Sequence, residues 1–297
     1  MFKLNKCSKL AALALGASVL FGSIFTSCGS TKVAASSDKE ILVVSFGTSY
    51  NNSRELTIGG IEGAIAKAFP DYTVARAFTA DTIIKILKER DNIVIDNVDE
   101  ALVRAANNGV KTLVVQPTHL MNGFEYTDLQ KTLAKYESKF SKVVLAQPLL
   151  TSDADFAAVA DAITAKTKKF DDGTTAICFM GHGTEAASNG VYAKMQEVLA
   201  SKGYANYYVG TVEAKPSVED LLAAIQAKGS YKKVVLNPLM VVAGDHANND
   251  MAGDEDDSWK SIFQKAGFEV ECVLEGLGQD ATIQQIYVEH TKEAIRK

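Results

Sequence analysis

Hydrophobic residues in this chain occur either as short, nearly unbroken runs or at helical spacing in longer stretches. Residues 41–46 are apolar except for Ser45 and too few for a helix, which predicts a strand covered on both faces. Leu56, Ile61, Ile65 and Ala68 then recur at helical spacing up to Pro70. Further strands are predicted at residues 112–115 and 143–146. The second half repeats the pattern, with strands at 175–180, 207–209, 233–236 and 269–274. Helices are expected at 192–202, at 218–227 and from about 281 onward. β-Branched runs alternating with helical stretches point to an α/β fold with parallel sheets.

The two halves read as diverged copies. Val114-Val115-Gln116-Pro117 followed by Asn122-Gly123 matches Val235-Leu236-Asn237-Pro238 followed by Ala243-Gly244, at a constant offset (238 − 117 = 244 − 123 = 121). Ser45-Phe46-Gly47-Thr48 lies over Gly181-His182-Gly183-Thr184, at an offset of 181 − 45 = 136. The expected architecture is two similar Rossmann-like halves, residues 40–150 and 151–297, with a cleft between the carboxyl ends of their strands.

Residues 1–27 read as a signal peptide. Lys3, Lys6 and Lys9 precede a 15-residue apolar run at 10–24, shorter than the ~20 residues of a membrane span. Phe25-Thr26-Ser27-Cys28 resembles a bacterial lipobox with Cys28 as the lipidated residue, although Leu is commoner than Phe at its first position, so ordinary signal cleavage is the alternative. Residues 28–39 then form a small, polar tether, and the expected location is the periplasmic side of a bacterial membrane. Removing the three lysines takes the formal charge from −5 to −8 (−5 − 3), and this acidic balance without a basic stripe argues against nucleic acid. Cys178 and Cys272 lie in apolar runs and read as buried thiols, with a disulfide left open. The sequence also leaves a homo-oligomer open.

Three residues carry the candidate chemistry. His182 is flanked by glycines directly after a strand; a loop histidine or a phosphate-cradling turn is the alternative. Glu213 ends another strand and, taken alone, reads equally as a solvated or helix-capping carboxylate. His246 follows an apolar approach in Gly244-Asp245-His246, where Asp245 is placed to orient the imidazole. Spacings of 213 − 182 = 31 and 246 − 213 = 33 are about one βα unit each and put all three at one sheet edge. Two imidazoles and a carboxylate suit Co2+, Fe2+, Ni2+ or Zn2+ and leave coordination positions open. The acidic run 253–257 is expected to support the helix carrying Trp259. His119 is expected either to line the cleft, with haem ligation as one role, or to be structural; His290, on the charged last helix, is expected to be solvated.

Residues 41–49, Met180-Gly181-His182-Gly183-Thr184 and the run 244–259 resemble the anaerobic sirohydrochlorin cobaltochelatases, class II chelatases related in fold to ferrochelatase. The likeness covers nearly all of residues 40–297 and is most specific in the last of these segments. It implies a tetrapyrrole held between the halves and a metal held by His182, Glu213 and His246, with His182 also accepting a proton. It further implies that Co2+ (with Fe2+ or Ni2+ as alternatives) replaces two protons of sirohydrochlorin without an organic cofactor, a step of cobalamin biosynthesis. Most such enzymes are cytoplasmic, so the exported N-terminus is a departure that opens haem or metal handling outside the cytoplasm as a setting. A lipid-anchored tetrapyrrole or metal carrier without turnover is the rival expectation, and a phosphate-handling enzyme the third.

Overall fold

The computed structural model describes residues 38–297. The expected signal peptide, Cys28 and all of the tether except Asp38 and Lys39 lie outside the described residues. Among the described residues no helix is long and apolar enough to cross a membrane.

The first half runs β1 (Lys39–Ser45), α1 (Asn51–Arg54), a π-helical turn at Glu55–Gly59, α2 (Gly60–Ala68) and β2 (Thr73–Phe78). It continues through α3 (Asp81–Asp91), α4 (Val98–Asn107), β3 (Thr112–Pro117), α5 (Phe124–Ala134) and β4 (Lys142–Leu145). Helix α6 (Asp153–Thr167) leads to β5 (Thr175–Gly181), α7 (Gly190–Ser201), β6 (Tyr207–Thr211), α8 (Val218–Lys228) and β7 (Lys233–Pro238). A second π-helical turn at Ala247–Met251, α9 (Trp259–Lys265), β8 (Glu269–Cys272) and α10 (Ala281–Arg296) complete the chain. The strands form two four-stranded parallel sheets, ordered β2-β1-β3-β4 and β6-β5-β7-β8. The α/β class and the two Rossmann-like halves are therefore as the sequence pattern predicts.

Unbroken apolar strands arise because both faces of each sheet are covered. Successive side chains point to opposite faces, so β1 sends Ile41 and Val43 into a core shared with Ile177 and Phe179 of β5. Leu42 and Val44 face outward under α4 and α5, as Cys178 and Met180 do under α8 and α9. The last helix recrosses to the first sheet: Tyr287 Oη donates to Thr118 O at 2.9 Å and Thr291 Oγ1 to Gln116 Oε1 at 2.8 Å.

The duplication extends to individual hydrogen bonds. Val44 pairs with Pro117 across β1 and β3, and Met180 with Pro238 across β5 and β7, at the offsets of 136 and 121. Ala80 N–H donates to Phe46 O at 3.2 Å, and Glu213 N–H to His182 O at 2.9 Å. Thr127 N–H donates to Gly123 O and Asn248 N–H to Gly244 O, both at 3.1 Å. Gly47 and Gly183 share a left-handed backbone, at φ 102° and 91°.

Candidate metal centre

In each sheet the chain leaves in opposite directions on either side of the central strand pair, and the gap above that pair is where ligands settle in open α/β sheets. His182 leaves β5 and His246 follows β7, the central pair of the second sheet. A Cβ on Gly181 would collide with the Tyr192 ring, and one on Gly183 would stand 2.8 Å from Ala214 N, so glycine is needed on both sides of His182. Tyr192 Oη accepts from Gly183 N–H at 3.3 Å. Burial holds that phenol above its ordinary range, so it remains a neutral partner. Glu213 is pinned beside His182 by the backbone bond already described.

The structure brings all three predicted residues together: one ligand atom from each of His182, Glu213 and His246 lies within 4.8 Å of the others. The imidazole rings stand 4.5 Å apart at 88°. His182 Nδ1 lies 2.8 Å from Gly183 O; a carbonyl only accepts, so Nδ1 carries the proton and Nε2 keeps its lone pair. His246 Nδ1 likewise meets Asp250 Oδ2 at 2.8 Å, which again frees Nε2. Metal–nitrogen bonds of about 2.0–2.1 Å require the ligand atoms to close up modestly from these separations. The His182 and Glu213 side chains are 48 % and 55 % exposed. An ion held here keeps an open side, unlike one in a sealed structural site.

Several expectations change. Asp250, not Asp245, orients His246, because the π-helical turn 247–251 carries the chain back beneath the ring where a loop had been expected. Asp245 instead accepts from Asn249 at 2.8 Å and faces Tyr50 Oη at 3.5 Å. The spacing His246-x3-Asp250 was a readable signal for one helical face. Ser258 caps α9, while Asp254 and Asp256 pair with Lys260 and Lys265 of that helix rather than entering its first turn. His290 is buried, with Nε2 3.1 Å from Asp155 Oδ1; helix α10 is charged but packs against α6. The His119 side chain is 8 % exposed, its Nε2 3.1 Å from Glu125 Oε2.

The phosphate reading fails on donors: Gly183 N–H is taken by Tyr192, Thr184 N–H by Asn189 and Ala186 N–H by Thr184 Oγ1. Cys178 and Cys272 are free thiols. Both register with Leu236 on the strand between them, which sets them roughly 9–10 Å apart, beyond disulfide reach.

Comparison with known proteins gives the family of the chain. The family described as cobalt chelatase (CbiK) matches residues 39–296. The chain is 36 % identical over 257 residues to the sirohydrochlorin cobaltochelatase of Salmonella typhimurium, covering 86 % of this chain and 96 % of that one. It is 28 % identical over 259 residues to sirohydrochlorin cobaltochelatase CbiKC of Nitratidesulfovibrio vulgaris, covering 86 % and 90 %. Among solved structures, SirB from Bacillus subtilis with Fe3+ superposes with a TM-score of 0.62 at 11 % identity, over 86 % of this chain and 95 % of that one. The sirohydrochlorin chelatase SirB of Bacillus subtilis subspecies spizizenii in complex with cobalt gives 0.59 at 10 %, over 87 % and 95 %. These structural likenesses concern the fold. The family match, by contrast, begins at the first residue of β1 and ends at the last of α10, and the chain belongs to the cobalt chelatase family.

Proposed function

We infer that this chain is a sirohydrochlorin cobaltochelatase, a lyase that forms metal–nitrogen bonds. A divalent ion, Co2+ in first place, is a substrate. It exchanges for the two pyrrole N–H protons of the macrocycle, so four ring nitrogens bind the metal and two protons leave. His182, Glu213 and His246 hold the incoming ion, with both imidazoles presenting Nε2. His182 is also placed to accept a proton once the ion has moved to the ring. No organic cofactor enters this scheme.

The observation that carries the reading is the convergence of three ligand atoms from three separate strand ends on an open site. Three ligands hold an ion without saturating it, and the open side lets a flat ring take it away. The test is steady-state insertion of Co2+, Fe2+ and Ni2+ into sirohydrochlorin by the purified protein and by His182→Ala. Turnover that disappears in the variant supports the enzyme. Stoichiometric ring or metal binding with no turnover in the parent protein supports the carrier instead.

The N-terminal reading belongs here too: a signal peptide at 1–27, lipidation at Cys28 and a tether to residue 39 would present the halves 40–150 and 151–297 on the periplasmic side of a membrane. Its support is the charged, apolar and small-residue pattern ending in cysteine. Cys28→Ala should abolish incorporation of labelled palmitate and release the protein from the membrane fraction.

A further inference from the structure

The duplicated strand ends give each ligand of the metal centre a counterpart in the first half. His182 corresponds to Phe46 (182 − 46 = 136), and Glu213, which bonds to His182 O as Ala80 does to Phe46 O, corresponds to Ala80. Asp245 and His246 correspond to Phe124 and Glu125 (offset 121). Where the second half presents His182 and the Asp245-His246 pair, the first presents Phe46 and the Phe124-Glu125 pair, so Phe124 stands beside the counterpart of a ligand rather than at it. Phe46 and Phe124 are the two exposed phenylalanines among the described residues, at 49 % and 63 %. Rings this exposed add little to the core of their own half and are open to a ligand.

The contacts between the halves bring together the loops that carry these positions. The loop after β1 abuts the loop after β7: Ala243 N–H donates to Ser53 Oγ at 3.1 Å, and Tyr50 Oη lies 3.5 Å from Asp245 Oδ1. The loop after β3 abuts the loop after β5, a Cβ on Gly123 standing 3.5 Å from Ser188 Oγ. The duplication maps each of these junctions onto the other, so the halves face one another about an approximate twofold axis.

We propose that Phe46 and Phe124 form the apolar wall that receives one face of the tetrapyrrole while His182, Glu213 and His246 address the opposite face with the metal. This rests on the chelatase reading. Both phenylalanines are ring-positioning residues: they set affinity for the macrocycle and leave the ion site untouched. A flat conjugated ring stacked on aromatic side chains is the occupant that suits such a wall.

The test compares Phe46→Ala, Phe124→Ala and Phe46→Trp with the parent protein in three measurements. These are binding of metal-free sirohydrochlorin followed by fluorescence, steady-state Co2+ insertion, and Co2+ titration without the ring. Each alanine variant should raise KM and the ring Kd about 10-fold, with kcat and Co2+ affinity within about 3-fold of the parent, and tryptophan should restore ring binding. Phe124 is the more exposed, so Phe124→Ala is expected to fold even if Phe46→Ala does not. Unchanged KM and ring Kd in a folded variant would overturn the proposal, as would loss of Co2+ binding without the ring. A parent protein that neither binds nor turns over sirohydrochlorin would instead sink the chelatase reading, and this proposal with it.

Discussion

The first and second halves share strand order, register and the backbone hydrogen bonds that shape their strand ends, yet they differ in what those ends display. One shows imidazole, carboxylate and imidazole; the other shows phenylalanine, alanine and glutamate at the matching places. Backbone geometry thus fixes where a side chain will stand, and a few substitutions decide whether that place grips an ion or a ring. The duplication can drift chemically because positions at strand ends contribute little to either core.

The largest expected effect lies on the side that carries the three-ligand cluster. His182→Ala and His246→Ala should each lower Co2+ insertion by at least about 100-fold, since even the partners behind metal ligands contribute 10–100-fold. Ring binding in the same variants should stay within a few-fold, whereas the phenylalanine variants reverse the pattern. If histidine and phenylalanine variants lose the same property, the division between the halves is wrong.

Next comes the support beneath His246. Asp250→Ala should weaken Co2+ binding about 10-fold or more in a competition titration, while Asp245→Ala changes it by less than about 3-fold. Equal effects from the two would show that the ring is not held as the structure has it.

Gly47 and Gly183 sharpen the comparison, because their shared backbone predicts a shared cost. Alanine at either meets a positive φ and a close neighbour, Phe78 for Gly47 and Ala214 for Gly183. Each substitution should destabilise the fold by about 1–2 kcal/mol or more, read from the urea midpoint. A tolerated substitution at one alone would show that the two turns are less alike than their backbones.

The smallest effect concerns the clasp between α6 and α10. Burial alone would raise the Asp155 carboxyl, but hydrogen bonds from Thr151 and Ser152, with His290 nearby, bring it below the ordinary value. A carboxyl depressed in the folded state stabilises above the ordinary carboxylate range and loses that contribution as pH falls through its folded value. Asp155→Asn should therefore cost about 1 kcal/mol near neutral pH, with the difference shrinking in acid. A gap that widened in acid would contradict the clasp.

How much of this was legible depended on whether the signal was local. The central strands β1, β3, β5 and β7 read clearly because both faces are covered and their apolar runs are nearly unbroken. Strand β2 escaped notice: Arg76 interrupts it, and that arginine is accommodated at the sheet edge by Glu62, at 2.6 Å from Nε. Helix α4 carries a readable start in the reciprocal cap of Asn97 and Glu100. His182, Glu213 and His246 were legible because a parallel sheet returns the chain to the same edge once per βα unit. Asp250 and the burial of His290 were not, since one depends on a local π-helical turn and the other on a contact between residues 135 positions apart.

The return of α10 to the first sheet has a consequence for biosynthesis. A ribosome that has released β1 to β4 has still to make the 16-residue helix that covers β3. The first half must wait for α10 before its surface is closed. Until then its apolar face depends on chaperones, or on remaining unfolded, to avoid aggregation.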